Sequence, residues 1–309
     1  MNKISIVGAG RVGESTAQFI AAGDMCREIA LLDVRQSAAE GAALDIQEVA
    51  PLYGFDTRLY GGSDYALLED SDLIVVTAGL PRKPGMSRSD LLASNVAITN
   101  TILEGVLKHA PNSMLLFVSN PVDVLTYHAF VQTGWPRNRI FGQAGVLDSS
   151  RMASFIAMET GYSTQDISTM VLGGHGDTMV AMLRYTTISG IPISNFMSKE
   201  KLDQIVERTR NGGAEILALR GTSSAYDAPA GSVAKMVDAI VHDRKRILPT
   251  VCVLEGEYGH HDLAIGVPAV LGINGMEQII SLDMNDAETT LFHNSAALVQ
   301  KDISLLKSI

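Results

Sequence analysis

Apolar residues in the first half of the chain follow two alternating rhythms. Short runs, Ile4 to Val7, Ile29 to Leu32, Leu73 to Val76, Met114 to Val118 and Ile140 to Phe141, are almost uniformly apolar and rich in β-branched residues. Between them, Val12 to Ala22, Ala38 to Val49 and Leu91 to His109 repeat their apolar positions with helical period. Strands without a polar face are buried on both sides, so this alternation predicts a parallel sheet covered by helices above and below. Residues 1–143 are therefore expected to form one doubly wound α/β unit with a six-stranded parallel sheet. Beyond residue 144 the rhythm changes. Helical stretches at Ser150 to Glu159, Leu202 to Leu219, Val233 to Val241 and Asp286 to Leu306 mix with alternating or hairpin-like runs at Met170 to Leu172, Val180 to Ile188, Val251 to Leu254 and Ile265 to Leu271. Residues 144–309 read as a second, α+β unit. No Pro/Gly/Ser-rich linker or repeat separates the two, so they are expected to pack tightly with a cleft between them.

Composition narrows the class. With 309 residues and 46% hydrophobic side chains, the chain can bury a large core without disulfides or metal staples. Cys26 and Cys252 have no CxxC neighbour and suggest a reducing compartment rather than a disulfide scaffold or zinc module. The first apolar run breaks at Gly8, too short for a signal peptide or a membrane span, so a cytoplasmic location is expected. A net charge of −10 repels phosphate backbones, and the one dense basic run, Arg244 to Arg246, has no interleaved aromatics. Nucleic acid is not an expected partner.

Gly8-Ala9-Gly10-Arg11-Val12-Gly13 follows the first strand and opens the first helix, the context that gives GxGxxG its meaning. Such a loop suits a dinucleotide: one glycine makes the turn, one lets the pyrophosphate approach, one lets the helix pack on the strand, and the helix N-terminus faces the anion. Asp33 ends the second strand 20 residues past Gly13, where a carboxylate can accept both hydroxyls of an adenine ribose and repel a 2′-phosphate. NAD is thus expected over NADP, although Arg35 nearby could itself hold a phosphate. The same run nearly spells a P-loop, but Glu14 occupies the lysine position and would oppose a nucleotide's phosphates.

Four stretches carry polar residues where the pattern is otherwise apolar or glycine-rich: Leu80 to Arg88, Val118-Ser119-Asn120-Pro121, Val146 to Arg151, and Gly173-Gly174-His175-Gly176-Asp177. In order and spacing these motifs resemble the lactate and malate dehydrogenase family over essentially the full chain, and within it the lactate-dehydrogenase-like malate dehydrogenases. The resemblance implies a Rossmann-type α/β cofactor unit followed by a catalytic and substrate-binding unit. It implies His175 as proton donor and acceptor, Asp148 as its partner, Arg151 as the clamp on the substrate's C1 carboxylate, and Arg88 as the group polarising the reacting carbonyl. Asn120 matches the asparagine that contacts nicotinamide and substrate, while Val118 and Asn95 match further cofactor-contacting positions. The chemistry wants the same residue types. Hydride loss from an alcohol carbon requires removal of the hydroxyl proton, imidazole titrates near neutrality, and guanidinium offers a two-donor fork for a carboxylate.

Specificity rests on residues 80 to 89, where Arg82, Lys83 and Arg88 appear with no acid. In the family this segment is a lid, and the Arg82 position carries glutamine in typical lactate dehydrogenases but arginine in malate dehydrogenases. An arginine can pair with a second carboxylate, whereas a methyl-ended substrate would leave it desolvated and unpaired. The implied reaction is reversible, NAD-dependent oxidation of (S)-malate to oxaloacetate, with a lactate or other 2-hydroxyacid dehydrogenase as the alternative. The resemblance also implies a homodimer or homotetramer. Thr222, Ser223 and Ser224 fall in a segment that borders the family's pocket, and which hydroxyl faces substrate is left open. His260-His261-Asp262 lacks further ligands at zinc spacing and reads as a turn, so no metal is expected.

Overall fold

The computed structural model describes residues 1–81, 88–221 and 223–309, with only the backbone of Arg88 and Ser308. Its centre is a nine-stranded sheet. Six strands run parallel: β1 (Lys3–Val7), β2 (Glu28–Leu32), β3 (Arg58–Gly62), β4 (Leu73–Val76), β5 (Met114–Phe117) and β6 (Ile140–Gln143). Their order, β3-β2-β1-β4-β5-β6, reverses direction at β1, beside which the loops after β1 and β4 face one another. The sequence singles out all of these but β3. Arg58-Leu59-Tyr60-Gly61-Gly62 is an edge strand, half-exposed, and lacks the unbroken apolar run that double burial imposes on its neighbours.

Helices α1 (Arg11–Ala22), α2 (Gln36–Glu48), α3 (Ala50–Tyr53), α4 (Arg88–His109) and α5 (Val122–Thr133) connect these strands. The second half continues with α6 (Gly145–Thr160), five two-residue strands, β7 (Ile167–Ser168), β8 (Val171–Leu172), β9 (Val180–Ala181), β10 (Thr187–Ile188) and β11 (Ile191–Pro192), and helices α7 (Lys199–Arg220) and α8 (Asp227–Val241). It closes with the long hairpin β12 (Arg246–Glu255) and β13 (His261–Gly272), then β14 (Gly275–Ile279) and α9 (Asp286–Ser304).

This hairpin does not form a sheet of its own. β12 pairs antiparallel with β6, Thr250 opposite Gln143 and Val251 opposite Gly142, so the parallel sheet runs on into the second half through β13 and β14. Arg137, just before β6, pins the junction by donating to the Val253 carbonyl and to both carboxylate oxygens of Glu257. Burial alone would raise the Glu257 carboxyl, but Arg137 and two backbone amides bring it down to about 2.

One core follows the sheet through both halves, and a smaller one lies under α6 and α7, around Met152, Ile156, Ile205 and Val206. Helix α1 packs on α8, which fixes the glycine loop against the second half. At the far side α9 starts with a capping box, Asn285 and Glu288 each accepting a backbone N–H of the other, worth roughly 1 kcal/mol. Arg184 holds the same Glu288.

Candidate functional site

The strand-loop-helix unit at the N-terminus forms as its glycines require. Gly8 has φ +110°, and an added Cβ would lie 2.6 Å from the Ala78 amide nitrogen. At Gly13 a Cβ would sit 1.9 Å from the Gly8 carbonyl oxygen, so the first turn of α1 rests directly on the loop. Gly10 differs: nothing lies within 4 Å of its Cβ position, and it begins α1 without a side-chain cap. Open space in front of uncapped first-turn amides is where an anion fits.

Asp33 closes the mouth of this cradle. Its Oδ2 accepts the Ala9 N–H at 2.9 Å and its Oδ1 the Arg35 N–H at 2.9 Å. Arg35 places its Nε 3.5 Å from Asp33 Oδ1, so the guanidinium that could have favoured a 2′-phosphate already has a carboxylate beside it. Arg11 turns away to lie over the Tyr226 ring, 5.3 Å from its centroid.

A cavity of about 260 Å³ opens beside α1, lined by Val12, Val118, Asn120, Leu147, Arg151, His175 and Ser224 among others. It gathers residues from α1, the end of β5, α6, α7 and the loop between β8 and β9. That loop, Gly173 to Thr178, carries His175 and has three anchors. Gly173 exchanges backbone hydrogen bonds with Gly266 of β13, Gly174 donates to Ser295 of α9 at 2.8 Å, and the His175 N–H donates to Asp123 of α5 at 3.0 Å.

The His175 ring meets Asp148 of α6, Nδ1 to Oδ2, at 2.9 Å. A carboxylate only accepts, so the proton sits on Nδ1 and leaves Nε2 with a lone pair. Asp148 is 2% exposed and its other oxygen faces Arg151 Nη1 at 3.4 Å, three residues on along the helix. Burial pulls the imidazole's pKa down, but the Asp148 charge and hydrogen bond, aided by Asp123 and opposed by Arg151, carry it above its ordinary value. Arg151 runs past Gly212 of α7, whose Cβ would lie 3.2 Å from its Cδ, and its buried Nε has no hydrogen-bond partner. This is a cation held in place with donors to spare.

The sequence-predicted residues thus divide. Val12, Val118, Asn120, Arg151 and His175 line one cavity, Asp148 lies directly behind it, and the glycine loop with Asp33 lies at the end of the helix that forms its wall. Asn95 is 2% exposed, and its amide is occupied: Oδ1 accepts from Leu80 N, while Nδ2 donates to the Leu80 and Asn120 carbonyls. It braces the chain on either side of the cavity. Arg82 lies outside the described residues, as does the side chain of Arg88, whose backbone opens α4. Ser224 and Ala225 reach the cavity wall, and Thr222 lies outside the described residues. His260 hydrogen-bonds His293 at 2.8 Å, and among the described residues no cluster of three His, Cys, Asp or Glu side chains could hold a metal.

Three neighbours were not singled out in the sequence: Asp123, Gln143 and Arg210. Gln143 and Arg210 line the cavity, each with a buried nitrogen lacking a partner. Asp123 interrupts the apolar run Val122 to Leu125, and a carboxylate at such a position was the available signal.

Comparison with known proteins is consistent across the whole chain. Residues 2–142 match the family described as lactate/malate dehydrogenase, NAD binding domain, and residues 145–308 its alpha/beta C-terminal domain. A malate dehydrogenase of Thioalkalivibrio sulfidiphilus is 66% identical over 307 residues, covering 99% of this chain and all of the relative. Among solved structures, the malate dehydrogenase of Salinibacter ruber superimposes with a TM-score of 0.95 at 42% identity, covering 99% of this chain and 98% of that one. The lactate dehydrogenase of Cryptosporidium parvum, bound to lactic acid and nicotinamide adenine dinucleotide, also reaches 0.95, at 34% identity over 100% of this chain and 98% of that one.

Proposed function

The chain belongs to the lactate/malate dehydrogenase family, and we propose that its cleft carries out the reversible, NAD-dependent oxidation of (S)-malate to oxaloacetate. The observation that carries the reading is the joint contact of Asp148 with His175 and Arg151, in the cavity that also touches the glycine-loop helix.

His175 Nε2 accepts the proton of the substrate hydroxyl, and Asp148 stabilises the imidazolium that results. The chemistry that NAD would supply, when bound, is that of a hydride acceptor for the alcohol carbon. Arg151 holds the C1 carboxylate so that the hydroxyl points at His175, a positioning task suited to a planar fork with unused donors. Asn120 orients the same hydroxyl from the end of β5, its main chain fixed by Asn95. Gly10 and the first turn of α1 would hold the pyrophosphate, and Asp33 the adenine ribose. In the reverse direction the protonated His175 returns its proton to the carbonyl oxygen, which Arg88 would polarise.

Malate rather than lactate is supported by Arg82, which would pair with the second carboxylate, and by the malate dehydrogenases of high identity. The shared fold alone cannot choose, since a lactate dehydrogenase superimposes equally well. The test is steady-state oxidation of NADH with oxaloacetate and pyruvate side by side, repeated with NADPH and with Arg82→Gln. Preference for oxaloacetate with NADH, relaxed toward pyruvate in the variant, supports the reading. Comparable pyruvate turnover by the unaltered enzyme overturns the malate assignment, and an unchanged ratio in the variant removes Arg82 from it.

The proposal includes a homodimer or homotetramer in the cytoplasm. Leu44, Leu52 and Tyr53 on α2 and α3 and Leu217 and Leu219 on α7 are apolar and exposed, as expected of surfaces that a second copy covers. No helix among the described residues is long and apolar enough to cross a membrane.

A further inference from the structure

His175 has a second acidic neighbour that the scheme above leaves without a task. Asp123 lies in the first turn of α5 and is 6% exposed. Its Oδ2 accepts the His175 N–H, and its Oδ1 is buried with no hydrogen-bond partner. A small cavity of about 50 Å³ touches it, and Asn120 and His175 line both this cavity and the larger cleft.

A backbone N–H needs only a neutral oxygen as acceptor, which serine or asparagine supplies. A carboxylate with one oxygen left unsatisfied is a costly substitute for either. The cost shows in its titration: burial raises the Asp123 carboxyl to about 6, against the pull of the His175 amide and imidazole. What only the carboxylate supplies is charge.

Taking His175 as the proton carrier of the proposed reaction, we infer that Asp123 is its positioning residue, fixing the main chain of His175 and placing a second negative charge beside the protonated imidazole. The groups facing His175 are Asp148 and Arg151 from α6, Asp123 from α5, Arg210 from α7 across the cleft and Asp302 from α9 across the small cavity, and Asp177 follows two residues on in the same loop. Asp148 and Asp123 favour the protonated ring, and Arg151 opposes it. Because α5 follows directly on Asn120 and Pro121, the same helix sets the hydroxyl-orienting asparagine and the charge behind the histidine.

Asp123→Asn keeps the acceptor for the His175 N–H and removes the charge. In full-length protein with ring-labelled histidine, the His175 signal, assigned by its loss in His175→Gln, is titrated by NMR in wild type and in Asp123→Asn. The expected result is a midpoint lower by about half a pH unit or more. The acid limb of kcat/KM for malate oxidation, which requires the neutral ring, should move down with it. A purely structural acceptor predicts that midpoint and limb stay put, and that result overturns the inference.

Should the variant not fold, the carboxyl carbon of Asp123 in wild type is followed instead. A midpoint near 6 with a matching inflection in the His175 signal supports the coupling, whereas a midpoint in the ordinary carboxylate range without one overturns it. The imidazole titration is independent of turnover. A shifted midpoint in a protein that fails to oxidise malate would therefore sink the proposed reaction and leave the coupling standing.

Discussion

Replacing Asp148 by asparagine separates charge from shape at the centre of the site. The side chain keeps its size in a pocket where Asp148 is 2% exposed, so the packing of α6 should survive. Its two ends then face incompatible neighbours. If the amide oxygen stays on His175 Nδ1, the NH2 group points at Arg151 Nη1, 3.4 Å from the present carboxylate oxygen, donor against donor. If the amide flips, the NH2 group donates to Nδ1 and drives the ring proton to Nε2, the atom that must accept from substrate. Either arrangement forfeits a charge-assisted hydrogen bond, about 1.5–3 kcal/mol, which alone lowers the rate roughly 10- to 100-fold. The wrong tautomer deepens the loss, and an aspartate-to-asparagine change behind a catalytic histidine has cost about 10⁴-fold in a serine protease. The expected loss in kcat/KM for oxaloacetate reduction therefore lies between about 10² and 10⁴ at neutral pH.

Sign matters as much as size. Burial lowers the His175 pKa and Asp148 is the largest opposing influence, so the variant's imidazole should release its proton at lower pH. Reduction needs the protonated ring, hence activity should fall off from a lower pH than in wild type and recover partly in acid. The assay is kcat/KM for oxaloacetate across about pH 5 to 9, with NADH affinity measured separately by fluorescence. A variant within about threefold of wild type throughout that range, below even the smallest loss reckoned above, would refute the reasoning. A loss shared by NADH binding and independent of pH would point instead to a damaged fold.

Two further substitutions probe the cradle and the clamp. Gly13→Ala puts a methyl 1.9 Å from the Gly8 carbonyl, where both partners are backbone, so stability should drop by about 1–3 kcal/mol and NADH should bind at least about tenfold more weakly; wild-type values in calorimetry and fluorescence titration would count against the proposed pyrophosphate site. Arg151→Lys leaves the charge but loses the fork, and kcat/KM for the dicarboxylate should fall about 10- to 100-fold while NADH affinity holds; a loss confined to NADH binding would place the residue on the wrong ligand.

What could be read in the sequence was what physical necessity writes locally. Doubly buried strands are largely apolar, so β1, β2, β4, β5 and β6 announce themselves, and the glycine at 13 is demanded by a contact with Gly8 five residues away. Edge strand β3, with its glycines and half-exposed face, escapes the same test. The strands β7 to β11 are two residues each, too short for any period. The joining of β12 to β6 is a pairing between residues more than a hundred positions apart, and the apolar run from Val251 to Leu254 is equally consistent with a separate hairpin. Asp123 escapes for the same reason, since its partner lies 52 residues away. Asn95 shows a subtler limit: the resemblance assigns it a cofactor contact, and only the fold shows its amide bracing the backbone of Leu80 and Asn120.

The seam between β6 and β12 constrains how this enzyme could be recombined. Family descriptions divide the chain between residues 142 and 145, an inviting crossover point for building chimaeras from relatives. Yet Gly142 and Gln143 pair with Val251 and Thr250, and the sheet crosses there without interruption. A fragment ending at the boundary would present β6 as a bare edge, and the complementary fragment would present β12 likewise, two templates for aggregation. Shuffled halves should therefore keep faith only when Arg137, Glu257 and the four residues of the seam travel as a matched set.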